Sequence, residues 1–127
     1  MSPLAVGLDL VDIARVERLL QRHRERALER ILTPEEREYC LSQAAPARHV
    51  AVRIAAKEAT YKALSQAGAE QVVWWRDVEV VRDRQSRPGL ELHGRAAAGA
   101  DELGILGSLV SLSHSETQAA AVVILLR

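Results

Sequence analysis

Residues 47–67 of the chain have the sequence ARHVAVRIAAKEATYKALSQA, which decides the fold. The stretch is rich in alanine, the strongest helix former, and contains neither glycine nor proline. Gly68 follows directly, and glycine commonly ends a helix. We predict that these residues form the longest helix of the molecule and that the other elements pack around it.

The residues before this helix predict one strand and two further helices. Ala5–Val11 is short and apolar except for Asp9, which is typical of a strand. Asp12 is a favourable N-cap for the helical apolar pattern that follows it at Ile13, Val16, Leu19 and Leu20. Thr33–Glu36 combines a capping threonine, a proline at the first helical position and a glutamate three residues after the cap, so another helix is expected to begin there.

The residues after Gly68 predict two hairpins separated by a short helix. In the first hairpin, β-branched residues are followed by a turn signal with proline and glycine and by a short alternating run. The predicted elements are strand Val72–Val81, turn Ser86–Gly89, strand Leu90–His93, helix 95–103, strand Ser108–His114 and strand Gln118–Leu126. No repeat or linker interrupts the chain, so residues 1–127 are expected to form a single compact α+β domain, with a long central helix packed on a small, mostly antiparallel sheet.

Composition excludes several classes of protein. A chain of 127 residues, 48% hydrophobic and 3% aromatic, can build one core, mainly from alanine, valine, leucine and isoleucine. Seventeen basic residues balance seventeen acidic ones, so no overall charge would draw the chain to nucleic acid or to an anionic membrane. The longest apolar run, Ala119–Leu126, is far below the roughly 20 residues of a membrane helix. With Cys40 as its single cysteine and no cationic and apolar leader, the chain is expected to be cytoplasmic.

Four charged residues form the most informative constellation: Asp9 in the first strand, and Lys57, Glu58 and Lys62 on the long helix. Glu58 and Lys62 lie about one helical turn apart and are flanked by apolar residues, so both are expected on a largely apolar surface. A buried carboxylate is costly unless a cation compensates it, and Asp9 meets the same difficulty within an apolar strand. Two such carboxylates could share Mg²⁺, which commonly takes one or two protein carboxylates and fills its other positions with water and phosphate oxygens.

These charges are also compatible with simpler arrangements. Glu58 and Lys62 could form an ordinary exposed ion pair, and Asp9 could pair with a nearby arginine. If the metal site exists, Arg53, Lys57 and Lys62 would supply positive charge to the phosphates of a substrate. The sequence contains no glycine-rich phosphate loop and no nucleophile elbow, so side chains and a metal would have to hold those phosphates.

Arg15, Arg18 and Arg22 recur with helical spacing on the first helix, opposite much of its apolar face. They form one solvated stripe, called the arginine stripe below. Between residues 13 and 30, six arginines are opposed by three glutamates, which leaves a local excess of three positive charges. The arginine stripe is either an ordinary wet helix face or a docking surface for an acidic protein.

The histidines give weaker signals. A lone histidine near a strand end, such as His114, is usually hydrogen-bonded locally. His23, His49 and His93 show no metal-ligand spacing with one another or with Cys40, so no zinc site is expected.

Three motifs follow one another along the chain: Gly7-Leu8-Asp9, Arg53-Ile54-Ala55-Ala56-Lys57-Glu58-Ala59 with Lys62, and Val110-Ser111-Leu112-Ser113-His114. In order, spacing and total length they resemble the holo-acyl carrier protein synthases, the small phosphopantetheinyl transferases. The resemblance implies a magnesium-dependent transferase that moves the 4′-phosphopantetheine arm of coenzyme A to a serine of apo acyl carrier protein. Adenosine 3′,5′-bisphosphate would be released, and the reaction would serve fatty acid or polyketide biosynthesis.

The resemblance also implies a homotrimer with active sites at the interfaces between subunits. Asp9 and Glu58 match the magnesium ligands of the family, and Glu58 and Lys62 match its catalytic positions. The residues that match the coenzyme A site are Arg53, Lys57, Lys62, Arg87, Pro88, Ser113 and His114. Arg15 matches the residue that docks the acidic carrier protein, and Arg18 and Arg22 extend the same stripe.

The implied mechanism leaves the general base undecided. The metal would bridge the coenzyme A pyrophosphate, and Lys62 would support the charge on the leaving nucleotide. The attacking serine would give its proton to Glu58 or to a metal-bound water. Two alternatives to this function are a non-catalytic module whose arginine stripe binds an acidic protein or RNA, and a relative that only assembles into trimers.

Overall fold

The computed structural model describes residues 1–70 and 74–127. Its elements in chain order are β1 (Pro3–Asp12), α1 (Ile13–Ile31), α2 (Pro34–Leu41), α3 (Pro46–Gln66), a 3₁₀ turn (Trp75–Asp77), β2 (Val78–Arg82), β3 (Pro88–Leu92), α4 (Gly94–Glu102), β4 (Gly107–His114) and β5 (Gln118–Leu126). The predicted α+β class and the long helix at residues 47–67 are confirmed, since α3 has 21 residues.

The helix α3 occupies the centre of the molecule. Ala55, Ala59 and Ala63 are completely buried and belong to a core shared with the sheet, while Val50 belongs to a second core shared with α1 and α2. These small side chains let the backbones of α3 and β1 approach closely. A Cβ atom placed on Gly7 would lie 1.8 Å from the carbonyl oxygen of Ala59. The strand β1 therefore lies directly against the helix backbone.

The main sheet has the strand order β1–β5–β4, with both pairs antiparallel. Because side chains alternate between the faces of a strand, Asp9 faces α3 while its neighbours Leu8 and Leu10 face away. Leu8 and Leu10 are 65% and 66% exposed. The registers place the following residues on this side of the sheet, called the open face below: Val6, Leu8, Leu10, Leu109, Ser111, Ser113, Ala120, Val122 and Ile124.

The hairpin of β2 and β3 differs from its prediction in two places. Val72 and Val73 lie outside the described residues, and β2 begins only at Val78, because Trp75–Asp77 forms a 3₁₀ turn. The turn spans residues 83–87, where Asp83 Oδ1 accepts hydrogen bonds from the backbone amides of residues 85 and 87 at 2.8 and 2.9 Å. The predicted turn at Ser86–Gly89 is therefore displaced towards the N-terminus, and Pro88 already belongs to β3.

The helix starts are governed by local signals of different strength. The capping box of Thr33 and Glu36 is confirmed: each side chain accepts a hydrogen bond from the other residue's backbone amide. Asp12 occupies the N-cap position of α1 but makes no capping hydrogen bond with its side chain. The helix α1 is kinked at His23, where φ is −140° and ψ is 41°. Among the described helices, none is long and apolar enough to cross a membrane.

Candidate active site

Asp9, Glu58 and Lys62 come together where β1 crosses α3. The close contact at Gly7 brings Asp9 to the helix two residues later, and its side chain is 9% exposed. Lys62 Nζ donates to Asp9 Oδ1 at 2.8 Å and to the carbonyl oxygen of Leu8 at 3.1 Å. Asp9 therefore pairs with Lys62, and among the described residues it forms no ion pair with an arginine.

Glu58 is half-buried beside Asp9. Burial, followed by the hydrogen bond to Asp9 and the negative charge of that carboxylate, raises the pKa of Glu58 to about 7. The positive charges of Lys62 and Arg15 act in the opposite direction. The pKa of Lys62 is raised, chiefly by its hydrogen bond to Asp9. The pKa of Glu58 is thus raised mainly because the group is half-buried, and the neighbouring Asp9 raises it further than Lys62 lowers it.

The chemistry of this pair fits a divalent cation. Asp9 Oδ2 is buried and accepts no hydrogen bond from the described residues. One additional positive charge, either a proton or a metal ion, would satisfy both groups. Two carboxylates beside an open substrate position are the donor set that Mg²⁺ commonly accepts. Asp9 and Glu58 are therefore the residues that could hold it.

A second group of charges surrounds Tyr39, on the other side of α3. The guanidinium groups of Arg53 and Arg82 lie 4.5 and 5.1 Å from the Tyr39 ring. The ring of His49 lies 5.8 Å from that of Tyr39 and 6.4 Å from that of His114. We call Tyr39, Arg48, His49, Arg53, Arg82 and His114 the basic cluster.

The basic cluster itself contains no carboxylate. Arg48 Nε and Arg53 Nε are both buried and have no hydrogen-bond partner. Arg53 as a whole is only 2% exposed. Burial lowers the pKa of His49, and the charges of Arg53, His114 and other neighbours lower it further. A cavity of about 630 Å³ opens beside Arg53 and Arg82, and its lining also includes four glutamates: Glu35, Glu36, Glu79 and Glu91. The two arginine nitrogens without partners are donors that could bind an anion such as phosphate.

Only Arg53 and His114 of this cluster were predicted from the sequence. Arg48 and His49 precede Arg53 on α3, and the spacing of four residues between His49 and Arg53 places them on one helix side. That spacing is a signal from which His49 could have been predicted. Tyr39 and Arg82 come from α2 and β2, so their participation depends on tertiary packing.

The prediction for Lys57 is corrected by the structure. Its side chain is completely buried, and Nζ donates to Glu36 Oε1 at 2.7 Å, to the carbonyl oxygen of Trp75 at 2.9 Å and to that of Val78. All three hydrogens of the ammonium group are therefore used inside the protein. Lys57 joins α3 to α2 and β2 and has no group left for a pyrophosphate.

The remaining predicted coenzyme A residues are dispersed. Arg87 lies in the β2–β3 turn, where Nε pairs with Asp83 at 2.8 Å, and Pro88 follows it. Ser113 belongs to the open face, whereas His114 points to the side of α3. Among residues 1–70 and 74–127, no hydrogen bond or ion pair connects Arg53, Arg87, Ser113 or His114 with Asp9, Glu58 or Lys62. One chain thus presents two separate parts of the predicted site.

The arginine stripe is exposed, as predicted. Arg15, Arg18 and Arg22 all lie on the solvent side of α1, before the kink at His23. Arg15 is near enough to lower the pKa of Glu58 by its charge. The stripe therefore begins beside the Asp9–Glu58–Lys62 group.

A candidate metal-binding group that was not predicted from the sequence lies on the β2–β3 hairpin. Glu79 and Glu91 are paired across the hairpin, His93 follows, and their ligand atoms lie within 4.8 Å of one another. Glu79 Oε1 lies 3.0 Å from His93 Nε2, and Glu79 Oε2 accepts a hydrogen bond from Thr33 at 2.7 Å. Spacing among histidines and cysteine cannot indicate this group, because cross-strand pairing is what brings its carboxylates close.

Comparison with known proteins assigns the chain to a family. Residues 5–123 match the 4′-phosphopantetheinyl transferase superfamily, and the chain belongs to it. Its curated relatives include two holo-[acyl-carrier-protein] synthases. The protein of Geobacter sulfurreducens is 45% identical over 121 residues, which cover 95% of each chain. That of Alkalilimnicola ehrlichii is 46% identical over 125 residues, covering 96% of this chain and 95% of the relative. The predicted family is thereby confirmed.

Solved structures agree with this assignment. The Chronobacterium ammoniagenes ACPS–CoA complex is 35% identical, covers 95% of both chains and superposes with a TM-score of 0.81. The holo-[acyl-carrier-protein] synthase of Helicobacter pylori, solved in complex with coenzyme A, is 30% identical with a TM-score of 0.80, covering 94% of this chain and 98% of that one. The α+β fold with a long central helix is shared with these proteins.

Proposed function

We propose that the chain transfers 4′-phosphopantetheine from coenzyme A to a serine of apo acyl carrier protein, releasing adenosine 3′,5′-bisphosphate, in support of fatty acid or polyketide biosynthesis. The observation that carries the proposal is the meeting of Asp9, Glu58 and Lys62 at the crossing of β1 and α3. The names of the relatives supply the reaction. We further propose that residues 1–127 act as one catalytic domain and work in the cytoplasm.

Asp9 and Glu58 would hold Mg²⁺, because the two carboxyl groups are close enough to interact and Asp9 Oδ2 is buried without a partner. When bound, the ion would neutralise charge on the pyrophosphate of coenzyme A. Lys62 is the exposed cation of the group, with 58% of its side chain accessible, and it would stabilise charge on the departing nucleotide. Glu58 or a metal-bound water would accept the proton of the attacking serine.

The basic cluster would bind a phosphate of the coenzyme A nucleotide. Arg53 and Arg48 have buried nitrogen donors without partners, and the ring of His114 packs edge-on against that of His49. Arg87, Pro88 and Ser113 would complete the nucleotide site from a neighbouring subunit, because one chain keeps them apart from Asp9. Lys57 has no part in this proposal.

We propose a homotrimer with sites at the subunit interfaces. The open face carries Leu8 and Leu10, each about two-thirds exposed, on one side of a sheet whose other side packs on α3. An apolar sheet face of this kind is usually covered by a partner. The arginine stripe would dock the acidic acyl carrier protein next to Glu58.

The decisive experiment is intact-mass spectrometry of apo acyl carrier protein after incubation with this protein, coenzyme A and Mg²⁺. The expected result is the gain of one phosphopantetheine, which is lost when a chelator is added. Glu58→Gln should fold normally and lose at least about a hundredfold in rate. No mass gain with several carrier proteins would refute the transferase and favour a binding module.

A further inference from the structure

The outer edge of β1 is held by side chains of α3. In the order β1–β5–β4, β1 is an edge strand, and its backbone groups at Val6 and Leu8 point away from β5. The side-chain oxygen Oε1 of Gln66 accepts a hydrogen bond from the Val6 amide at 2.8 Å. Lys62, one helical turn earlier, donates to the carbonyl oxygen of Leu8 at 3.1 Å. Side chains from one helix thus replace a neighbouring strand.

These contacts and the close approach at Gly7 fix different aspects of the position of β1. The backbone contact of Gly7 with Ala59 fixes how near the strand lies to the helix. It does not by itself prevent the strand from sliding along the helix. The hydrogen bonds to Val6 and Leu8 oppose such sliding, because a hydrogen bond weakens steeply when its length or angle changes. Asp9 follows Leu8 directly and moves with it.

Lys62 and Gln66 both bind the outer edge of β1, but only Gln66 has no second contact with Asp9 or Glu58. Lys62 also binds Asp9, and its charge would be drawn to a phosphate substrate. Gln66 carries no charge, and its contact with Val6 is independent of the state of Asp9 or Glu58. We infer that Gln66 is a positioning residue for the metal carboxylate Asp9, acting through β1. The inference rests on the magnesium site of the proposed function, since a metal ligand must be held within about 0.5 Å of its working position.

The first test measures the hydrogen bond itself. Gln66→Met keeps the length of the side chain and removes the acceptor, whereas Gln66→Glu keeps an acceptor. Ser65→Ala, also at the exposed end of α3, is the matched control. By NMR, hydrogen exchange of the Val6 amide should be about two- to tenfold faster in Gln66→Met, the range expected for one lost hydrogen bond, and near the original rate in the other two variants.

The second test measures the metal site with Mn²⁺ as the probe. Calorimetric Mn²⁺ affinity should be about two- to tenfold weaker in Gln66→Met, with a matching rise in the Mg²⁺ concentration needed for half-maximal transfer. The rate at saturating Mg²⁺ should stay within about twofold, because Gln66 touches no reacting atom. If Gln66 has a purely structural role, Gln66→Met should lower the melting temperature but should not weaken Mn²⁺ affinity while leaving the transfer rate at saturating Mg²⁺ unchanged.

Three outcomes separate the modes of failure. Unchanged Val6 exchange in Gln66→Met would overturn the inference at the level of the contact. Faster exchange with unchanged Mn²⁺ affinity would overturn the link to Asp9. If the unsubstituted protein binds no Mn²⁺ and transfers equally well with chelator, the proposed magnesium site is wrong and the inference falls with it.

Discussion

Replacing Gly7 by alanine should separate β1 from α3. The new Cβ would lie 1.8 Å from the carbonyl oxygen of Ala59, 2.8 Å from its carbonyl carbon and 3.0 Å from the amide nitrogen of Ala63. All three atoms belong to the backbone of the central helix, so they cannot turn aside as a side chain would. Real Cβ atoms almost never approach within 3.0 Å of such a neighbour, so the strand must retreat by at least about 1.2 Å, the difference between 3.0 and 1.8 Å.

This retreat has consequences for both stability and activity. A shift of about 1.2 Å along the bond would stretch the 2.8 Å ion pair of Asp9 and Lys62 to about 4 Å, the limit of such a contact. We expect a loss of about 3 kcal/mol in the free energy of unfolding, the upper part of the range for overpacked sites. Transfer should fall by about a hundredfold, as a misplacement of about 1 Å can cause.

Urea denaturation followed by circular dichroism is the appropriate assay. With a slope of about 1.5 to 2 kcal/mol per molar urea, the midpoint should fall by about 1.5 to 2 M. The matched control is Gly99→Ala in α4, where an added Cβ would meet nothing within 4 Å, so stability should rise by up to about 1 kcal/mol. An unchanged midpoint and full activity in Gly7→Ala would refute the reasoning.

Three further predictions concern charges. Lys57→Met should cost about 3 to 5 kcal/mol by leaving Glu36 buried and unpaired. Lys62→Met should cost less, about 1 to 3 kcal/mol, because only Asp9 is buried and the ammonium group is exposed, but it should abolish transfer. Denaturation and mass assays of both variants check this, and the reverse pattern would contradict the assignment. In chelator, the stability that Glu58 contributes is present below its unfolded pKa of 4.5 and is lost as pH rises through about 7. The denaturation midpoint of the unsubstituted protein, compared with that of Glu58→Gln, should therefore fall between pH 5 and 8 and recover when Mg²⁺ is added. A difference between the two midpoints that does not change with pH would exclude the raised pKa of Glu58. Arg18→Glu should raise the KM for acyl carrier protein severalfold without lowering kcat, while the same change at the exposed Arg84 should not, and equal effects would count against docking on the stripe.

Much of the fold could be predicted because its signals are local. The capping box at Thr33 depends on residues three apart, and the alanine-rich helix depends on its own composition. The predicted turn at Ser86–Gly89 differs from the observed one because the side chain of Asp83 closes the turn at residues 83–87, earlier than the proline and glycine indicate. An aspartate that binds two later amides is also a local signal, but a less conspicuous one.

The candidate site could be predicted only where a charged residue interrupts the apolar pattern of a strand or a helix. Asp9 and Glu58 were identifiable because each was a carboxylate in apolar surroundings. Lys57 looked equivalent to Lys62, since spacing alone does not reveal which third element covers a helix face. The opposite orientations of Ser113 and His114 follow from strand alternation and could have been predicted.

The 3₁₀ turn has a practical consequence for spectroscopy. Trp74 and Trp75 are the only tryptophans in the sequence, and they are adjacent. Intrinsic fluorescence therefore reports the environment of a single corner, where the Trp75 carbonyl is bound by Lys57, and gives no direct signal from β1 or Asp9. A fluorescence transition that coincides with the far-ultraviolet circular dichroism transition would show cooperative unfolding, and a separate, earlier one would show that this corner opens first.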